Sequence, residues 1–531
     1  MDGNPDNVTE APWKPSFNPW LIAVVVALAS FMEVLDTSIA TVALPHIAGT
    51  LGAGASESNW VLTSYLVANA VVLPMSGFLA TLLGRKNYMM VCLAGFTFAS
   101  LMCGLSTSLG MLLISRVVQG AMGGGLQPMA QAILADSFPP EKRGQGFGVF
   151  ALATIVAPIV GPLLGGWITD SFSWRWIFYI NIPVGILTAL LMHRFLEDPP
   201  YIARLKSQQQ RMDYVGISLL VLGIGALQIM LDKGQEDDWF GSRFIVALCF
   251  ISTISLVALV IVEWPQKVPV LNVRLFKKFN YAASNLMMFV IGAVMFACLV
   301  SLPQFLSTLM GYTATLSGLV ISPAGVVIAL MIVVVSLLSS RVAAKWLITA
   351  GWIMMGLAMF YSCGLVTLAL DFRTAVIIRI VQSLGLVFLF IPLTTACYIG
   401  MPQEQNNQIA GTTNLMRNIG SSVGTSFVGT LLARRTQLHQ NNLVAHATTA
   451  NPSWQAALDG LTMQLHAHGA SLAVSKQQAL SLLSQSLSSQ ALALSYVDLY
   501  WLLGVACVIL AVLALFLPRN DPRVKSAGAM H

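Results

Sequence analysis

Long apolar runs separated by short polar loops dominate the chain. An α-helix needs about 20 apolar residues to cross a hydrocarbon core ~30 Å thick. Runs of that length fall near residues 21–44, 60–80, 88–106, 111–134, 146–169, 177–196, 214–232 and 244–263. A second series falls near 282–303, 315–338, 347–370, 375–399, 411–433 and 498–518. The pattern predicts an all-α membrane protein with fourteen transmembrane helices. The runs are too long and too uniformly apolar for barrel strands, and helices satisfy their own backbone groups inside lipid.

Basic residues sort the loops into two sets. Arg85, Lys86, Lys142, Arg143, Arg194, Arg204, Lys206 and Arg211 lie in alternate loops, and the same side continues with Lys267, Arg274, Lys277, Lys278, Arg341, Lys345, Arg519, Arg523 and Lys525. The opposite loops carry fewer: Arg175, Lys233, Arg243, Arg373, Arg434, Arg435 and Lys476. The positive-inside rule then places both termini in the cytoplasm. The first twenty residues are polar and have no signal-peptide order, so they read as a cytoplasmic tail. One loop breaks the compact pattern. Residues 434–497 lie on the outer side and are rich in Gln, Ser, Ala and His. Within them, 454–468 and 476–494 read as two amphipathic helices that do not cross.

Two short motifs recur. Ala43-Leu44-Pro45 ends the first run and Ser301-Leu302-Pro303 ends the ninth. Arg116-Val117-Val118-Gln119 lies early in the fourth and Arg379-Ile380-Val381-Gln382 early in the twelfth. Two six-helix halves in the same orientation account for this, with the seventh and eighth runs inserted between them. The expected organisation is a tail over 1–20, a first half over 21–197, a linker with two additional helices over 198–278, a second half over 279–518 and a tail over 519–531. Halves related in this way place a substrate site at their interface near the midplane.

Composition narrows the function. Hydrophobic residues make up 56% of the chain and charged residues 9%, against about 25% charged in soluble domains. Lipid is therefore the solvent for much of the chain. The net charge of +6 is spread through short loops, which argues against nucleic acid as a partner. All seven cysteines lie in apolar runs without a CxxC pair, so neither a disulfide nor a metal site is expected. No P-loop, metal-ligand cluster or nucleophile motif is found. An enzyme and a directly ATP-driven pump are thus disfavoured. A proton gradient, with no cofactor, is the expected energy source.

Ionisable groups inside lipid are costly and point to function. Asp36 lies about fifteen residues into the first run, and Glu33 is three residues earlier on nearly the same helix face. Such acids can take up and release protons as their surroundings change. Arg116 lies at a similar depth by helical rise and is the expected counter-charge, with Gln119 on its face. Arg379 can repeat that role in the second half or hold helices together. The packing role is the simpler one for Arg379 and for Arg417. Glu33, Asp36, Gln119 and Arg379 are the candidates to touch substrate. In the fifth run Ala157, Gly161 and Gly165 form a small-residue stripe that allows close helix approach. Pro158 and Pro162 bend the helix, and Gly166 adds to its slenderness. A tight, bendable contact between the halves is expected there. Gly77, Gly84, Arg85 and Lys86 surround the next loop of interest, and Asp136 is an acid within their expected reach.

These motifs together resemble the EmrB/QacA-type multidrug:proton antiporters of the major facilitator superfamily. The resemblance rests on LDTSIATVALP (Leu35 to Pro45), RVVQG (Arg116 to Gly120), APIVGPLLGGWITD (Ala157 to Asp170), WRWIFYINIP (Trp174 to Pro183) and LDKGQEDDWF (Leu231 to Phe240). It implies that Asp36 is the proton-coupling acid, Arg116 the coupling arginine and Gly161-Pro162 part of an exporter gate. It also implies lipophilic small-molecule substrates, membrane lipid as surroundings, a bacterial inner-membrane location, and a periplasmic adaptor with an outer-membrane channel as partners. The loop motif usually written GxLADRxGRK reads GFLATLLGRK here, with Thr81 and Leu82 in place of its acid–base pair. An exporter of a specific metabolite or siderophore is the alternative within transport, and a sensor on the same fold is the alternative outside it.

Overall fold

A computed structural model describes residues 13, 15–202, 213–266, 269–448 and 450–518. Residues 1–12 and 14 of the expected first tail, all of the expected tail over 519–531, and the basic residues Arg204, Lys206, Arg211 and Lys267 lie outside them. The described residues contain helices and no strand. The first half comprises α1 (Pro19–Leu51), α2 (Ala55–Leu83), α3 (Arg85–Leu105), α4 (Leu109–Gly123), α5 (Leu126–Ser137), α6 (Arg143–Ser171), α7 (Trp176–Tyr179) and α8 (Asn181–Phe195). The inserted pair is α9 (Tyr214–Lys233) and α10 (Arg243–Glu263). The second half comprises α11 (Phe279–Leu309), α12 (Ala314–Ser339), α13 (Ala344–Leu365), α14 (Phe372–Cys397), α15 (Asn406–Val444), α16 (Pro452–Ala467) and α17 (Leu472–Ala514).

Thirteen helical segments among the described residues are long and apolar enough to cross a membrane. Two of them are divided. Gly124 and Gly125 interrupt the fourth crossing between α4 and α5, and α7 and α8 together make the sixth. The remaining expected crossing, near 411–433, falls in α15, which is more polar than the other thirteen. Its hydroxyls and amides are accommodated by bonding back one turn. Thr412 donates to the Gln408 carbonyl at 2.8 Å, Asn414 to Ala410 at 2.8 Å and Ser421 to Arg417 at 2.9 Å. Side chains that bond their own helix in this way lower the cost of carrying polar groups in lipid.

The halves meet through two equivalent pairs, α2 with α15 and α6 with α12. Glycines set the separation. A Cβ at Gly77 would lie 2.8 Å from the Asn407 carbonyl, and Cβ atoms at Gly144 and Gly148 would lie 2.7 and 2.8 Å from Ser339 and Ser336. These contacts gather at the face bearing Arg85, Lys142 and Arg341, called the basic face below. Phe147 against Tyr398 (5.4 Å between centroids) and Phe150 against Phe390 (6.3 Å) thicken the same seam.

The region 434–497 departs from the expectation of a polar loop with two separate helices. The first expected helix is α16. The second is continuous with the last crossing as one helix of 43 residues, and α15 likewise runs on for 39 residues. Outside the apolar zone the two are joined by His439 to Asp498 at 2.8 Å, Thr436 to Ser495 at 3.0 Å and Gln440 to Ser488 at 3.4 Å.

Candidate functional site

Asp36 sits inside the first half, 2% exposed, within a closed polar cage. Arg116 Nη1 donates to its Oδ2 at 2.6 Å. Gln119 Nε2 and Asn181 Nδ2 donate to its Oδ1 at 2.8 and 2.6 Å. Gln119 turns its own carbonyl to Arg116 at 2.7 Å and bonds Ser100 at 2.7 Å. Arg116 Nε reaches the Val61 carbonyl at 3.1 Å, and its guanidinium lies 4.2 Å from the Tyr65 ring centroid. These partners offset part of the cost of burying an ion pair, although Arg116 Nη2 has no hydrogen-bond partner among the described residues. Their release requires the cage to change.

A chamber of about 400 Å³ lies between the halves. Its wall runs from Leu73, Thr154 and Phe390 at mid-depth to Gln235, Glu236 and Gly429 at the face opposite the basic one. Gln235 and Glu236 are exposed there, so the chamber opens to that face. Glu33 lines it, whereas Asp36, Gln119 and Arg379 do not. Asn69 donates to Glu33 at 2.9 Å, and Gln127 donates to its other oxygen. Gln127 in turn accepts from Arg417, which also bonds Asn414 at 2.9 Å. A chain of side chains thus links Glu33 on α1, Gln127 on α5 and Arg417 on α15 across the interface. Arg417 is therefore a chamber residue as well as a packing one. Arg379 lies deep in the second half, 4% exposed, and its Nε and Nη1 have no hydrogen-bond partner among the described residues. Gln382 beside it bonds Ser362 at 3.1 Å, matching Gln119 and Ser100. The second half thus repeats the arginine and glutamine without the acid.

At the basic face a second cluster joins the halves. Arg85 forms an ion pair with Asp136, each nearly inaccessible at its side chain. Asn406 Nδ2 donates to Asp136 at 2.6 Å, and Arg85 Nε donates to Asn407. Tyr201 accepts from Arg85 at 2.7 Å and donates to Asp136. Burial raises the phenol well above its usual value, the Arg85 charge opposing it, so Tyr201 keeps its proton throughout the physiological range. Lys86 takes a different role, donating from Nζ to the His193 carbonyl at 2.8 Å. Gly84 adopts φ +89, which favours glycine at this turn. Thr81, in the acid's usual place, bonds the Gly77 carbonyl at 2.9 Å and accepts from Asn407 at 3.5 Å.

A family model described as Major Facilitator Superfamily matches residues 26–425. The chain belongs to the major facilitator superfamily. Within this family it stands with the EmrB-like branch. It is 33% identical to the multidrug export protein EmrB of Escherichia coli (strain K12), over 93% of this chain and 94% of that one. It is 35% identical to the probable multidrug resistance protein EmrY of the same strain, over 94% and 95%. Among solved structures, the proton:xylose symporter XylE bound to 6-bromo-6-deoxy-D-glucose superposes with a TM-score of 0.59 at 14% identity, over 95% and 97% of the two chains. That likeness concerns the fold.

The small-residue stripe of this facilitator does not join the halves. Cβ atoms at Gly161 and Gly165 would lie 2.4 Å from Ser38 Oγ and 3.1 Å from Ile39, both on α1 of the same half. Pro162 has no N–H for the Pro158 carbonyl one turn earlier, and Ser38 Oγ supplies the donor at 3.2 Å. The same device recurs in the second half, where Cβ atoms at Gly420 and Gly424 would meet the Phe289 and Ala293 carbonyls at 1.9 and 2.4 Å. Gly161→Leu must therefore push α1 away, and Asp36 lies two residues before Ser38. The variant is expected to lose about 1–3 kcal/mol of stability by overpacking, read as a lower Tm in detergent, together with most of its transport. Gly166→Leu is the control, because nothing lies within 4 Å of a Cβ there. Equal behaviour of the two variants would remove the stripe from the account. Sequence reasoning missed Asn181, Asn69 and Gln127. Asn181 lies within the recognised WRWIFYINIP segment, but an amide in an apolar run carries less signal than a charge.

Proposed function

We propose that this facilitator is a proton-driven antiporter that exports lipophilic toxic compounds by alternating access. It sits in the bacterial inner membrane with both termini and the basic face in the cytoplasm. The observation that carries the reading is the closed Asp36–Arg116 pair, set directly behind a chamber that opens away from the basic face. Glu33 stands in that chamber, one helical turn from Asp36. In this reading, protons from the outer side reach Asp36 through the chamber. Protonation neutralises the carboxylate, frees Arg116 and favours the state open to the cytoplasm, where a new substrate enters. Arg116, Gln119 and Asn181 hold Asp36 between turnovers, and Glu33 and Arg417 face the substrate. The multidrug export named for EmrB supports the substrate class. Proteoliposomes loaded with ethidium test the reading. An imposed proton gradient is expected to speed ethidium movement several-fold, with matching proton movement in the opposite direction. Ethidium flux indifferent to the gradient would refute coupling.

The outer assembly of α15, α16 and α17 is proposed to dock a periplasmic adaptor, which leads to an outer-membrane channel. Leu438, Met463, Leu472, Leu480 and Leu482 are 42–64% exposed on it. Amphipathic helices of this kind can cover a partner's apolar helix. Replacing residues 440–492 by a short Gly/Ser bridge is expected to spare transport in proteoliposomes and to abolish resistance in whole cells. Adaptor co-purification is expected to fall as well. Undiminished resistance and co-purification would exclude the docking role.

A further inference from the structure

The inserted pair lies outside the two-half repeat, yet α9 forms a wall of the chamber. Gln228, Leu231, Asp232 and Gln235 follow one another at i, i+3, i+4 and i+7, hence on one helical face, and all four line the cavity. Gln228 is 3% exposed. Its Nε2 is committed to Ser422 Oγ on α15 at 2.6 Å, which fixes the amide, while its Oε1 has no hydrogen-bond partner among the described residues. A buried acceptor left without a donor is unfavourable until something donates to it. One turn further along, Asp232 accepts a single hydrogen bond, from Thr63, among the described residues. The other two carboxylates of the wall are more fully engaged. Glu33 is held by Asn69 and Gln127, and Glu236 by Lys233 at 2.6 Å and Asn59 at 3.2 Å.

A free buried amide oxygen and an exposed carboxylate that faces the chamber on the adjacent turn, about 5–6 Å apart by helical spacing, match one chemical group. That group has positive charge and N–H donors together. The remaining wall is largely apolar, with Leu66, Leu73, Ile155, Met295 and Phe390, and its volume is in the range of small-molecule sites. We propose that Gln228 and Asp232 form a recognition subsite for amphipathic molecules carrying a protonated primary or secondary amine. The inference rests on the reading of the chamber as the transport site. It adds that α9 is a specificity element and that N–H donors, not charge alone, are selected.

Three probes that differ only in head group test it on the full chain in lipid nanodiscs: octylammonium, octyltrimethylammonium and octanoate. Gln228→Leu is expected to raise the Kd of octylammonium about tenfold, the loss of one charge-assisted hydrogen bond, and to leave octyltrimethylammonium unchanged. Gln228→Glu keeps an acceptor at the same place and is expected to bind octylammonium at least as well as wild type. Asp232→Asn is expected to weaken both cations about tenfold or more and to leave octanoate unchanged. Equal loss of both cations in Gln228→Leu, loss of octylammonium in Gln228→Glu, or wild-type affinities in Gln228→Leu and Asp232→Asn would overturn the subsite alone. Failure of the wild-type chain to bind any of the three would overturn the chamber reading and the subsite with it.

Discussion

Asp36→Asn is expected to abolish proton-driven transport in proteoliposomes while the protein still inserts and purifies. The amide preserves the shape of the cage but cannot take up and release a proton. It also leaves Arg116 without its carboxylate, at 0% exposure. Removing one member of a buried pair costs about 3–5 kcal/mol, so the variant is expected to show a lower Tm in addition to the transport loss. The two effects can be separated. Substrate-induced proton movement tests the chemistry, and downhill substrate movement without a gradient tests the pathway. The expectation is loss of the first with retention of the second. Glu33→Gln is the comparison. It stands in the chamber rather than in the cage, so it is expected to alter substrate preference more than coupling. Unimpaired proton movement in Asp36→Asn would remove this residue from the mechanism.

Asp136→Asn is expected to open the basic face. Arg85 has 1% side-chain exposure and loses its ion-pair partner in the variant, again a loss of about 3–5 kcal/mol. The other partners of Arg85, Asn407 and Tyr201, come from across the interface and from the segment after α8. They cannot replace the charge. Moving a two-state equilibrium from 1:99 to 99:1 takes about 5.5 kcal/mol, so a loss of this size carries a strongly closed population to balance or beyond. A cysteine placed at Ser339, against Gly144 in the seam, reports the change in a background lacking the native cysteines. Its labelling by an impermeant maleimide from the basic side is expected to rise about tenfold or more. Labelling unchanged from the parent would show that the seam is held by packing alone.

Much of the helical layout can be read in the sequence because lipid permits few alternatives. A crossing needs a continuous apolar run, and a carboxylate inside such a run stands out, as Asp36 does. The proximity of Asp36 and Arg116 followed from depth along two helices, since spans of known direction carry their own ruler. Other features depend on which face a helix turns to its neighbours. The glycines of α6 signalled a close approach but not its partner, which is α1 rather than the other half. Arg417 read as packing because α15 alone does not show that a chamber lies beside it. Gln228 was silent, and Asp232 stood only as one letter of LDKGQEDDWF, because the inserted pair has no counterpart in the repeat. The lengths of α15 and α17 were hidden by composition, because their outer turns are polar and polar helices look like loops to a hydropathy argument.

The continuity of α15 has a mechanical consequence. At 39 residues it is about 58 Å long by helical rise, and its first turns carry the contacts of Asn406 and Asn407. A rigid rod of that length acts as a lever. A tilt of about 10° at the basic end swings the far end by roughly 10 Å. In the proposed cycle, movement that opens or closes the seam would be magnified at the far end of α15, and anything attached to the tip would be displaced once per turnover.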